Sequence, residues 1–134
     1  MSSHKTVTKY ILGMAFETEV AGHKIILDNS PEDLGPSPKP LLLSALAACS
    51  GMDIVPILQK MKVEFSDLSI DVEGELSEDY PKIYHTIKII YYIHLNPENF
   101  EKMERAVKLS LEKYCGVYAM LVKAADISYE IKIV

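Results

Sequence analysis

The sequence has 134 residues, a formal net charge of −5 at neutral pH and two cysteines. This length fits a single domain, 1–134, with room for a hydrophobic core. The acidic balance, without a basic cluster, excludes the electrostatic footprint of a protein that binds nucleic acid or an anionic membrane, so neither partner is expected. The N-terminal residues MSSHKTVTKY lack the apolar run of a signal peptide, which predicts a cytoplasmic protein with reduced thiols.

The N-terminal part of the chain predicts a β-hairpin. Residues 5–16 and 24–28 are rich in Val, Ile, Thr and aromatic side chains, with Ala21 and Gly22 between them as turn residues. Residues 29–38 then carry three prolines and a glycine, which cannot hold regular structure for long. They predict a loop that leads into the next element.

Residues 40–62, PLLLSALAACSGMDIVPILQKMK, predict a core helix around which the chain is organised. Its first part is apolar on every side, and a helix of that kind must be buried all round. Polar residues, a glycine and a proline interrupt it before the roughly 20 consecutive apolar residues that a bilayer requires. We therefore expect a helix too short to cross a membrane. The interrupting residues are Ser44, Ser50, Gly51, Asp53 and Pro56.

Two half-buried strands follow the helix. Residues 63–76 and 83–95 alternate between apolar and polar side chains with a period of two, and together they predict a long hairpin. Asn96-Pro97-Glu98 is typical of a helix start, because Asn caps free N–H groups and Pro suits the first turn.

The last third of the sequence predicts two helical segments and a strand. Apolar residues at intervals of three or four mark a helix that falters near Tyr114-Cys115-Gly116. Residues 117–124 predict a short second helix, and 127–133 a final strand. The order β-β-α-β-β-α-β is an α+β pattern. One sheet and one amphipathic helix cannot cover the apolar central helix, so a homodimer is expected.

The two cysteines, Cys49 in the central helix and Cys115 at the joint between the later helices, are the main candidates for chemistry. A cytosolic chain with two distant cysteines and no CxxC or clustered His/Cys spacing carries neither a secreted disulfide framework nor a closed metal site. No metal and no cofactor are expected. Cys49 in mid-helix gains little from the helix dipole, whereas Cys115 gains more if it opens the short helix.

The run GPSPKPLLLSALAACSGMD, followed by LEKYCGVYAMLVKAADISYEI, resembles the OsmC/Ohr family of osmotically induced and organic-hydroperoxide-resistance proteins. The resemblance covers essentially the whole chain. It implies an OsmC-like fold in an intertwined homodimer, with one central helix from each subunit buried at the interface. It also implies a thiol peroxidase of oxidative stress defence, in which Cys49 attacks an organic hydroperoxide, Cys115 resolves the product as a disulfide and an external dithiol reduces it.

The sequence departs from the family at the residues that activate the thiol. Peroxidases of the family use an arginine, held by a glutamate about ten residues before the cysteine. Here Arg105 is the only arginine and lies in the later helix, while Lys39 occupies the position ten before Cys49. Lys39 and Asp53, four residues after Cys49, are candidate site-lining residues. A carboxylate at that spacing raises the pKa of a neighbouring thiol and opposes its activation.

Because the arginine and glutamate of the family's peroxidases are missing from their positions, two other functions are considered. One is a non-catalytic protein of the same fold that binds a small apolar or electrophilic ligand after losing peroxidase turnover. Another is a structural thiol pair that acts as a slow redox sensor. A peroxidase should turn over with a dithiol, whereas a binding protein should instead gain thermal stability from its ligand.

Overall fold

The computed structural model describes residues 2–134, which divide into two compact units, one up to Leu42 and one from Leu43 onward. The architecture is α+β, with two separate three-stranded sheets and three α-helices among the described residues. The expectation of a single domain, 1–134, stays a prediction, as does the intertwined dimer.

The N-terminal unit holds a three-stranded antiparallel meander in the order β1-β2-β3. Its strands are β1 (Thr6–Leu12), β2 (Ala15–Val20) and β3 (His23–Leu27). The prediction of one strand over 5–16 was wrong. Gly13 has a φ of 56°, in the left-handed region that glycine adopts at little cost, and there the segment turns back on itself. The turn at Ala21 and Gly22 is confirmed, with φ values of 49° and 84°.

The loop that follows β3 is held by the carboxylate of Asp28. Its oxygens accept hydrogen bonds from the N–H and the hydroxyl of Ser30 and from the N–H of Leu34, each at 3.0 Å. The bond from Leu34 is the main reason why the pKa of Asp28 is lowered. A proline-rich segment that forms no helix or strand is thereby given a defined conformation, as the sequence predicted.

The C-terminal unit is built on a second sheet in the order β4-β5-β6. Strand β4 (Phe65–Leu76) runs antiparallel to β5 (Tyr84–Leu95), which confirms the predicted hairpin, and β6 (Asp126–Ile133) runs parallel to β5. The alternation of β5 is also confirmed, because its odd-numbered apolar residues are buried. They are Ile87, Ile89, Tyr91, Ile93 and Leu95.

The connection from β5 to β6 is helical. The side chain of Asn96 accepts a hydrogen bond from the N–H of Glu98 at 3.0 Å, and a 3-10 turn, Pro97–Asn99, leads into α2 (Phe100–Leu109). A single π-helical turn, Ser110–Tyr114, ends this helix, and α3 (Gly116–Leu121) follows. The helical pattern falters in the sequence where the chain forms this π turn.

The central helix α1 (Pro40–Lys60) buries only one face within the chain. The fully buried residues recur every four positions: Leu46, Ser50, Ile54 and Leu58. Met52 is 76% exposed and Leu42 is 47% exposed. The expectation of burial on all sides is therefore not met by the chain alone.

The length of α1 also corrects the membrane argument from the sequence. The helix α1 has 21 residues, and an 18-residue window within it has a mean hydropathy of 1.9, so it is long and apolar enough to cross a membrane by length and composition. The polar interruptions thus do not make it too short. Core helices of soluble proteins share these two properties, so they do not distinguish a core helix from a membrane span.

Candidate functional site

The two thiols of the C-terminal unit are neighbours. Cys49 is half-buried near the middle of α1, Cys115 is 3% exposed directly before α3, and both are free. Burial is the largest cause of the raised pKa of Cys115, and interaction with the nearby Cys49 side chain adds to it. The fold thus brings together two cysteines that are far apart in the sequence.

Cys115 is fixed by backbone hydrogen bonds on both sides. Its own N–H donates to the carbonyl of Ser110 at 2.7 Å, a five-residue spacing that closes the π turn. Its sulfur accepts a hydrogen bond from the N–H of Tyr118 at 3.3 Å, so Cys115 is the N-cap of α3. The predicted position at the start of the short helix is confirmed.

The predicted benefit of that position for thiolate formation is present, since the N–H of Tyr118 lowers the pKa of Cys115, but burial outweighs it. Burial raises the pKa of Cys115 to about 11, more than the N–H of Tyr118 lowers it. The negative charges of Cys49 and Asp53, when ionised, raise it further. Removal of the thiolate from water outweighs the single donor, so Cys115 is a neutral thiol at physiological pH.

A chain of four buried or half-buried polar side chains lies beside the thiols. The hydroxyls of Tyr91 and Ser50 are 2.7 Å apart, those of Ser50 and Ser110 are 2.9 Å apart, and the hydroxyl of Ser110 donates to Oδ2 of Asp53 at 2.9 Å. Tyr91, Ser50 and Ser110 are completely buried. Within the described residues, every buried side-chain nitrogen and oxygen has a hydrogen-bond partner. We call this group the hydroxyl chain.

The protons of the hydroxyl chain all point one way. A carboxylate only accepts hydrogen bonds, so the hydroxyl of Ser110 donates its one proton to Asp53. It must therefore accept a hydrogen bond from Ser50. Ser50 in turn accepts from Tyr91. Burial is the main reason why the pKa of Tyr91 rises to about 12, and the charge of Asp53 contributes to that rise. Tyr91 therefore stays a donor throughout the physiological pH range.

Asp53 also borders open space. Together with Met52, Pro56, Ile57, Lys60 and Tyr114, it lines a groove of about 300 Å³ beside α1. Pro56 has no N–H, so it donates no hydrogen bond to the carbonyl of Met52 one turn earlier. The carboxylate thus lies between the hydroxyl chain and the groove.

The other candidate cations do not join this arrangement within the C-terminal unit. Arg105 is exposed on α2. Lys39 directly precedes α1 and belongs to the N-terminal unit, where it is half-buried, so its role at the thiols stays a prediction. Among residues 2–134, no three His, Cys, Asp or Glu side chains come together in a way that could hold a metal ion.

The site residues predicted from the sequence do not include Ser50, Ser110 and Tyr91, which form the hydroxyl chain with Asp53. A signal was present in each case. Ser50 is a polar residue four positions after Leu46 on the stripe that α1 buries, and Ser110 follows Val107 by three on the apolar side of its helix. Tyr91 lies in the predicted strand 83–95 at one of its alternating apolar positions, where a buried tyrosine hydroxyl needs a partner.

Comparisons with known proteins show the family to which the chain belongs. Residues 30–130 match the family model described as OsmC-like protein. The chain belongs to the OsmC-like protein family. Protein YhfA of Escherichia coli K12 is 35% identical to it over 127 residues, which cover 94% of this chain and 95% of that protein.

Solved structures agree with this family assignment. A hypothetical protein from Aquifex aeolicus VF5 superposes with a TM-score of 0.85 at 32% identity, covering 100% of this chain and 99% of the other. The organic hydroperoxide resistance protein OhrB of Bacillus subtilis superposes with a TM-score of 0.67 at 18% identity, covering 98% of each chain. At that identity the likeness to OhrB concerns the fold alone. Membership of the family indicates a function related to peroxides or stress.

Proposed function

We propose that the chain is a thiol-dependent peroxidase that reduces organic hydroperoxides. The observation that carries this proposal is the adjacency of two free thiols, Cys49 and Cys115, in environments of different exposure. Two neighbouring thiols are the minimal equipment for converting a peroxide to an alcohol through a disulfide. The fold shared with a protein named for organic hydroperoxide resistance agrees with this substrate class.

In the proposed reaction Cys49 is the nucleophile. Its sulfur attacks the terminal peroxide oxygen, the O–O bond breaks with its electron pair on the departing alkoxide, and the thiol proton completes the alcohol. Sulfur is oxidised to a sulfenic acid while the hydroperoxide is reduced. The exposure of the two residues supports this assignment, because Cys49 is half-buried whereas Cys115 is 3% exposed. The raised pKa of Cys115 further disfavours it as the attacking thiolate.

Cys115 is the resolving residue in this proposal. Its sulfur attacks the Cys49 sulfenic acid, an S–S bond forms, and the hydroxyl group leaves with the Cys115 proton as water. An external dithiol then reduces the disulfide in two thiol–disulfide exchanges. A thiol that stays protonated until the sulfenic acid has formed suits this second role and supplies the proton that water requires.

A homodimer in the cytoplasm belongs to the same proposal. The exposed side of α1 carries an apolar groove of about 560 Å³, which a second copy of the chain would cover. Light scattering on the purified protein tests this part directly: a dimeric mass is expected, and a monomeric mass at micromolar concentration would contradict it. The groove is lined by Ala47, Ala48, Gly51, Met52, Val55, Pro56, Leu68 and Ile70.

The second candidate function is a ligand-binding protein without turnover. The same apolar groove beside α1 favours it, as does the absence from the sequence of an arginine near the cysteine helix. Such a protein would bind a small apolar or electrophilic molecule and gain thermal stability in its presence. It would not consume peroxide.

Steady-state consumption of cumene hydroperoxide with dithiothreitol or a lipoyl dithiol as reductant separates the two candidates. A peroxidase consumes the hydroperoxide over many turnovers, and Cys49→Ser abolishes this. Cys115→Ser slows turnover, because the external dithiol must then reduce the Cys49 sulfenic acid directly. Wild-type protein with two titratable thiols that consumes no hydroperoxide would overturn the peroxidase proposal. A ligand-dependent rise in the melting temperature would then favour the binding protein.

A further inference from the structure

Asp53 contacts both the hydroxyl chain and the groove beside α1. On its inner side, Oδ2 accepts the hydroxyl proton of Ser110 at 2.9 Å. On its outer side, the residue lines the groove of about 300 Å³ that also contains Lys60 and Tyr114. Because it follows Cys49 by four residues on α1, its side chain lies on the same helix face as the proposed nucleophile.

As a fixed charge, Asp53 works against thiol chemistry. Its negative charge is among the causes that raise the pKa of Cys115 and of Tyr91. A static carboxylate beside two thiols therefore disfavours the thiolate that must attack a peroxide. A group that transfers protons has a different requirement, because it must lie close to the sulfur and must accept a proton when the sulfur gives it up.

We propose that Asp53 accepts the proton of the Cys49 thiol as sulfur attacks the peroxide, and then gives that proton to the departing alkoxide. This role rests on the proposed peroxidase function. The S–H and O–O bonds break, and an S–O bond and the O–H bond of the alcohol form. Asp53 ends the step as the carboxylate that began it, so protons and electrons balance within the protein and the hydroperoxide.

The hydroxyl chain positions this carboxylate. With Asp53 ionised, the protons of Tyr91, Ser50 and Ser110 all point towards Oδ2. Among the described residues, Ser110 is the side chain that hydrogen-bonds to Asp53, and it does so at Oδ2, which leaves Oδ1 without a hydrogen bond. Because the hydroxyl chain fixes one oxygen, it fixes the orientation of the carboxylate.

The leaving group of the peroxide provides the test. An alkoxide must receive a proton to depart, whereas the carboxylate released by a peracid is stable without one. Asp53→Asn keeps a side-chain oxygen that accepts from Ser110, and it removes the proton acceptor together with its negative charge. We expect Asp53→Asn to reduce kcat/KM for cumene hydroperoxide by about 100-fold, in the range of general acid–base catalysis. We expect kcat/KM for meta-chloroperbenzoic acid to fall by about tenfold at most, because attack on either peroxide requires removal of the thiol proton whereas the released carboxylate needs no proton. Asp53→Glu should recover part of the cumene hydroperoxide rate.

The controls separate a proton-transfer role from a loss of structure. Asp71→Asn, which changes an exposed carboxylate on β4, should leave both rates unchanged. An equal loss of rate with both peroxides in Asp53→Asn, or no loss with either, would overturn the role of Asp53 while the peroxidase function stands. A wild-type protein that reduces neither peroxide would overturn the peroxidase function and this role with it.

Discussion

The hydroxyl groups of Ser50 and Tyr91 lie 2.7 Å apart, although 41 residues separate them in the sequence. Ser50 is on α1 and Tyr91 is in the middle of β5, so this bond joins the central helix to the sheet through the core of the C-terminal unit. Ser110 extends the connection to the π turn that precedes Cys115. The polar interior is thereby part of the framework that holds both thiols.

Ser50→Ala should destabilise the protein by about 1 to 3 kcal/mol, because it leaves the buried hydroxyl of Tyr91 without its acceptor. The free energy of unfolding from urea titration measures this loss. Ser69→Ala, on the exposed side of β4, should change it by about 0.5 kcal/mol or less. Equal effects of the two substitutions would show that the hydroxyl chain does not stabilise the core.

The hydroxyl chain marks the limit of what the sequence revealed about the site. Cys49, Cys115 and Asp53 carry reactive groups and were candidates from residue type and spacing. Ser50 and Ser110 are ordinary residues whose importance depends on a contact across 60 positions, and helix periodicity does not predict such contacts. Their position on the buried stripes was the available signal.

The fold was predictable where local patterns determine it. The alternation in β5 and the cap at Asn96 each depend on a few neighbouring residues, and both are confirmed. The parallel pairing of β6 with β5 depends on how the intervening helices return the chain to the sheet. The division of the first predicted strand depends on Gly13 alone. Its left-handed conformation was not evident from the β-rich sequence around it.

The stability of the protein should fall at alkaline pH in two steps. Burial raises the pKa of Cys115 from 9.0 to about 11 and that of Tyr91 from 10.0 to about 12. Above pH 9 the unfolded chain releases the Cys115 proton while the folded chain retains it. The free energy of unfolding therefore decreases as the pH rises. The free energy of unfolding has its full value below pH 9. It decreases between pH 9 and about pH 11 because of Cys115, and it decreases further up to about pH 12 because of Tyr91.

Cys115→Ser isolates the first step, because serine also serves as an N-cap and does not titrate. Urea denaturation of the variant at a series of pH values should show the decline beginning near pH 10 rather than pH 9. Identical pH dependence of wild type and variant between pH 9 and pH 10 would contradict the assignment of this step to Cys115.

Alkylation of the native protein should distinguish the two thiols. Iodoacetamide at pH 8 should modify Cys49 first, because Cys115 is 3% exposed and its raised pKa keeps it protonated. Peptide mass spectrometry over time gives the two rates, and alkylation in urea provides the reference in which both thiols are accessible. Modification of Cys115 at the same rate as Cys49, or faster, would contradict the assignment of Cys49 as the more reactive residue.

The most direct test of the central proposal is to add one equivalent of cumene hydroperoxide to the reduced protein without a reductant and to map its disulfides under non-reducing conditions. We predict loss of two hydrogen atoms from the mass of the chain, a single peptide pair joined through Cys49 and Cys115, and release of one equivalent of cumyl alcohol. Recovery of both thiols in the free state with the hydroperoxide intact would contradict it.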